Sequence, residues 1–199
     1  MKNIPYYALM ILTATLLFAA LPTDAEAKIY EDTIRLHILA DSDKPEDQKL
    51  KILVRDALLL EYGDLLRNAG SFAAAQSLGK ELLPDMESSA ERIISEHGFD
   101  CNVTATLTQE WYDTREYDSF SLPAGYYTSL RVIIGRGEGK NWWCVMYPPL
   151  CMELACENAP ADDGIIDYTR EEIALIKSNK YNIKFKILEE VSKVFAKNG

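Results

Sequence analysis

Fourteen consecutive uncharged residues near the start, Ala8 to Leu21, limit what the rest of this chain can become. They follow a short positive start, Met1-Lys2, and lead into a small, polar stretch from Pro22 to Ala27. A membrane-crossing helix needs about 20 apolar residues, so the run is short unless Tyr6 and Tyr7 extend it. The flanks match a secretory signal, with Ala25-Glu26-Ala27 as the small-x-small cleavage sequence. Residues 1–27 are therefore expected to be a removed signal peptide, and residues 28–199 a single exported domain. An uncleaved N-terminal anchor is the alternative. No second apolar run approaches spanning length, so the mature form is expected to carry no membrane span.

Without Lys2, Asp24 and Glu26, the whole-chain charge of −10 becomes −9 over 172 residues. An acidic surface opposes binding to phosphate backbones, which depends on clustered Lys and Arg. It equally opposes adhesion to anionic lipid headgroups. At 48% hydrophobic residues the chain has material for a buried core. The expected partner is another protein, a cation or a small ligand. All four cysteines, Cys101, Cys144, Cys151 and Cys156, lie beyond the signal. Export permits disulfides in any of three pairings, and free buried thiols are equally compatible with a core of this size. With no C-x-x-C and only His37 and His97, a structural zinc site is not expected. No cofactor is indicated.

Thr33 to Ala40 alternates as a strand, with Ile34, Leu36 and Ile38 on one face and Arg35 and His37 on the other. Asp41-Ser42-Asp43 closes it. Ser42 or Asp43 is placed to cap a helix whose first turn holds Pro45, Glu46 and Asp47. Leu50, Leu53, Val54, Ala57 and Leu58 give that helix its apolar stripe, ended by Gly63 or Gly70. Ser71 caps a second helical stretch, kinked or restarted at Pro84, with Met86, Ala90, Ile93, Ile94 and His97 inward. Cys101 to Thr108 alternates clearly as a strand. Tyr127 to Ile134 and Asn141 to Tyr147 flank Gly135-Arg-Gly-Glu-Gly139 and read as a hairpin. A polar connection to about Tyr168 follows, then two amphipathic helices, the last carrying Ile183, Ile187, Val191, Val194 and Phe195. The order β-α-α-β-β-β-α-α predicts an α+β domain: an antiparallel or mixed sheet of about four strands covered by helices.

Several local patterns lose to simpler readings. The glycine-rich segment lacks the glycine and Ser/Thr of a phosphate loop and leads into a strand, so it reads as a turn. Ser77-Leu-Gly-Lys80 matches S-x-x-K without the partner motifs of penicillin-recognising enzymes. Asp41-x-Asp43 is the densest acidic group and fails the EF-hand glycine test at Glu46. Helix capping accounts for it, while a metal-dependent or hydrolytic site using His37, Asp41 and Asp43 is the rival. Trp142-Trp-Cys-Val-Met-Tyr-Pro-Pro-Leu-Cys151 concentrates aromatics and a stiff Pro-Pro, suited to a core face or to a protein-binding edge.

That segment and Ile34-Arg-Leu-His-Ile-Leu-Ala-Asp-Ser-Asp-Lys-Pro-Glu-Asp-Gln-Lys-Leu-Lys-Ile-Leu-Val-Arg-Asp56 together resemble the stage II sporulation protein R family of endospore-forming bacteria. The resemblance runs over about residues 30–195 and departs at Asp41, where asparagine is expected in much of the family. It implies a non-enzymatic protein made in the forespore and exported into the space between the forespore and mother-cell membranes. There it would activate a membrane-embedded aspartic protease, stage II sporulation protein GA, which matures pro-sigma factor E. The resemblance implies no catalytic residues. Its matching positions mark His37, Ser42, Asp43, Asp47 and Arg55 in the first block, and Trp143, Cys144, Pro148, Pro149 and Cys151 in the second, as structural or partner-facing.

Overall fold

Strand β1 (Ile34–Leu39) turns Ile34, Leu36 and Ile38 inward, as its alternation requires, in a computed structural model that describes residues 4–19, 23–117, 121–148 and 169–177. Two helices precede it: α1 (Ile4–Ala19), the apolar run, and α2 (Asp24–Glu31). Three helices follow: α3 (Pro45–Arg67), α4 (Phe72–Glu81) and α5 (Leu83–Glu96). The expected second helical stretch is thus two helices, because the chain turns at Leu82 and restarts with Pro84 in the first turn of α5. Strand β2 (Val103–Tyr112) comes next, then β3 (Arg115–Glu116), β4 (Ser121–Leu122), β5 (Gly125–Ile134), β6 (Asn141–Tyr147) and helix α6 (Arg170–Lys177). The expected connection to Tyr168 and the helix through Ile183 and Phe195 lie outside the described residues.

The chain divides into two compact units. The larger, Ile29–Glu110 with Tyr126–Thr169, holds a mixed four-stranded sheet in the order β2-β5-β1-β6. An α+β fold is what results. β1 runs parallel to β5, pairing Ile34 with Thr128 and Leu39 with Ile133, and antiparallel to β6, pairing Leu36 with Cys144. This corrects the hairpin. β5 and β6 are not neighbours, because β1 lies between them and the glycine-rich segment arches over the end of β1. One face of the sheet contributes Leu36, Ile38, Leu130, Val132, Val103, Ala105 and Met146 to a core shared with α3, α4 and α5.

The buried stripe of α3 is Leu50, Val54, Leu58, Tyr62 and Leu66, a strict four-residue spacing. Leu53, expected inside, is exposed, and α3 continues through Gly63 to Arg67. Ser71 caps α4 as expected, its hydroxyl accepting the Ala74 N–H at 3.2 Å. His97 is exposed at the end of α5 rather than on its buried face. On α5, Glu91 and Glu87 accept the backbone N–H groups of Val103 (3.1 Å) and Ala105 (2.7 Å). β2 ends the sheet order, so these carboxylates cover donors that an edge strand would leave open.

The smaller unit comprises Met1–Lys28, Trp111–Gly125 and Arg170–Gly199. Within it, β3 and β4 pair antiparallel through Arg115–Leu122 and Glu116–Ser121, and α6 lies against β4.

Candidate functional site

His37 sits mid-strand on the sheet face away from the helical core, and its register sets its neighbours: Arg131 on β5 and Trp143 on β6. The imidazole stacks on the Trp143 ring, with centroids 5.6 Å apart and planes 24° apart. Its Nδ1 lies 3.0 Å from Glu110 Oε2, near the end of β2. The same carboxylate accepts the Ser129 hydroxyl at 2.5 Å and faces Arg131 Nε at 3.4 Å. The His37 and Glu110 side chains are only 12% and 19% exposed. Burial pushes the Glu110 carboxyl up, but hydrogen bonds from His37 and Ser129 and the pull of His37 and Arg131 outweigh it. The group is held below the usual carboxylate range. An ionised carboxylate only accepts, so Nδ1 carries the shared proton. The Ser129 hydroxyl donates to the same Glu110 oxygen that faces His37 Nδ1.

A second network lies past the end of β1. Asp41 Oδ1 accepts the Arg136 backbone N–H at 2.8 Å, while the guanidinium reaches Oδ1 at 3.2 Å and Oδ2 at 3.0 Å. These bonds hold the Asp41 carboxyl below its usual range. Asp43 accepts the Lys140 N–H at 2.8 Å. Gly139 and Glu138 donate their N–H groups to the carbonyls of Ala40 and Asp41 at 2.9 and 3.2 Å. Buried Lys51 closes the assembly from α3, donating to Lys140 O at 2.8 Å and Gln48 Oε1 at 2.7 Å. Ser42 donates to Asp47 and accepts the Lys44 N–H. The expected cap is therefore corrected: Lys44 is the N-cap of α3 and makes no side-chain cap bond, because Ser42 and Asp43 are committed to Asp47 and Lys140.

The close approach explains the glycines. A Cβ at Gly139 would stand 2.3 Å from Ser42 O, and one at Gly135 2.4 Å from Asp41 Oδ1. Asp41 and Asp43 thus clamp the β5–β6 connection, while His37 belongs to a separate network. Among the described residues no three His, Cys, Asp or Glu side chains gather as a metal-ion group.

Of the other sequence-marked residues, Arg55 lies 4.5 Å over the Trp142 ring and bonds Asp56. Cys144 is disulfide-bonded and Cys101 is a free thiol, which excludes every pairing through Cys101. Pro148 follows β6 through a cis peptide bond, and Pro149 and Cys151 lie outside the described residues. Glu110, Ser129, Arg131, Arg136 and Lys140 were not anticipated. Glu110 is an acid near the end of a threonine-alternating strand, a pattern that names no partner.

The profile of the family described as stage II sporulation protein R matches residues 30–156. Stage II sporulation protein R of Bacillus subtilis (strain 168) is 33% identical over 123 residues, 62% of this chain and 55% of the relative. The match spans about half the length of that relative. No solved structure matches. An α+β protein of sporulation is the class so defined. The chain belongs to the stage II sporulation protein R family.

Proposed function

We propose that this chain is an exported signalling protein of sporulation, passed from the forespore into the space between the two membranes. There it activates the membrane-embedded aspartic protease, stage II sporulation protein GA, and so brings about maturation of pro-sigma factor E. It acts by binding and is not an enzyme. The family match over residues 30–156 is the observation that carries this reading. Residues 1–27 serve as the export signal on the strength of the apolar helix α1 and the Ala25-Glu26-Ala27 sequence. Among the described residues no helix is long and apolar enough to cross a membrane.

The half-buried His37–Trp143 stack, flanked by Arg131, is our candidate contact surface: a flat aromatic patch beside a cation, the composition enriched in binding hot spots. The clamp at Asp41 and Asp43 supports it by fixing the ends of β1, β5 and β6.

The test is co-expression with the protease and pro-sigma factor E in a non-sporulating host. Cleavage of the pro-protein should require this chain and disappear when residues 2–27 are deleted. Trp143→Ala should fold and be exported yet lower cleavage at least tenfold, a hot-spot loss of about 1.4 kcal/mol or more. Cleavage that proceeds equally without this chain would refute the role.

A further inference from the structure

The sequence Ala25-Glu26-Ala27, where a signal peptidase would cut, lies inside helix α2 (Asp24–Glu31). The helix is closed at its start by a reciprocal capping box. Thr23 N–H donates to Glu26 Oε2 at 2.6 Å, the Glu26 N–H donates to Thr23 Oγ1 at 3.3 Å, and the Ala27 N–H donates to Thr23 O at 2.9 Å. Glu26 is 2% exposed. Immediately beyond the scissile bond the chain is equally committed. Ile29 is fully buried, its carbonyl accepts the Thr33 hydroxyl, and Tyr30 packs edge-on against Tyr127 with ring centroids 5.1 Å apart.

Proteolysis is an extended-chain event: a segment threaded through a protease site offers its backbone N–H and C=O groups to the enzyme as a strand does. In α2 those groups are already bonded within the helix. We propose that hydrolysis of the Ala27–Lys28 bond is gated by folding. The site is open only until α2 closes, and a chain that folds first keeps residues 1–27, including apolar α1. The step itself is ordinary amide hydrolysis. Water places its oxygen on the Ala27 carbonyl carbon, the C–N bond breaks, and the Lys28 nitrogen leaves with the proton. The inference rests on reading residues 1–27 as a signal peptide and adds to it the order of events.

The full-length chain, unfolded in urea, is diluted into detergent and given purified signal peptidase either at once or after refolding is complete. Cutting at Ala27 should be at least tenfold faster in the first case. The double variant Thr23→Ala, Glu26→Ala keeps both alanines of the cleavage sequence but loses the box. After refolding it should be cut several-fold faster than the refolded parent. Equal rates before and after refolding would overturn the gate while leaving the signal reading intact. A chain uncut in both states would overturn the signal reading and the gate together.

Discussion

Glu110, on β2, is the residue on which three strands converge, since β1 brings His37 to its carboxylate and β5 brings Ser129 and Arg131. Its proton affinity is lowered in the folded state, so the unfolded chain takes up the proton first and stability rises with pH through that range. The contribution is complete above about 4.5, the ordinary carboxylate value, and fades as pH falls through the folded value. Glu110→Gln should lower stability at pH 7 by about 1–3 kcal/mol, the worth of hydrogen bonds to a charged group. The gap from the parent should narrow at pH 3.5 when urea midpoints are compared. An unchanged gap would mean the carboxylate's charge is not what binds the strands. Asp41 illustrates the complementary case. It accepts the Arg136 backbone N–H, which an amide oxygen could also do, and pairs with the Arg136 guanidinium, for which the carboxylate charge matters.

The element that most rewards attention is the connection Gly135–Lys140, because it crosses over β1 instead of turning back on β5. Gly139→Ala would drive a methyl into Ser42 O and should cost about 1–3 kcal/mol by urea denaturation, as overpacked sites do. A change below experimental error would show that the Asp41–Lys140 clamp yields freely. This segment also marks how far sequence could be read. β1, the start of α3, the Ser71 cap and the alternation of β2 were legible because each rests on local periodicity or capping chemistry. The pairing of β5 was not. Two alternating runs joined by glycines look the same whether the strands touch or a third, supplied 90 residues earlier, slips between them. Ser42 and Asp43 were misassigned for the same reason, since a side chain able to cap its own helix can instead serve a distant backbone. Within the candidate site, His37 and Trp143 were marked by the resemblance. Glu110, Ser129 and Arg131 reach them only through tertiary register.

At the scale of the whole molecule, compartment and covalent state are linked. Cys144, on a buried strand of the core, is disulfide-bonded, while burial pushes the Cys101 thiol up and disfavours its reactive thiolate. A reductant should lower the unfolding free energy by about 2–4 kcal/mol. In the denatured but unreduced chain a maleimide should label Cys101 and spare Cys144. Labelling of Cys144 without reductant would refute the oxidised form and with it one reason for placing the protein outside the cytosol.

The central place of β1 in the sheet sets a clock. Ile34 must wait for Thr128 and Tyr147, 94 and 113 residues further along, before it has neighbours on both sides. Contacts this distant in sequence form slowly, and none can form while the later strands are still on the near side of a membrane. On the proposed export route the N-terminal segment emerges first and stays unstructured until more than a hundred residues have followed it across. On that route and with the gate proposed above, the packing of Tyr30 on Tyr127 would come only after β5 had crossed, leaving the chain beyond Ala27 unpacked until then.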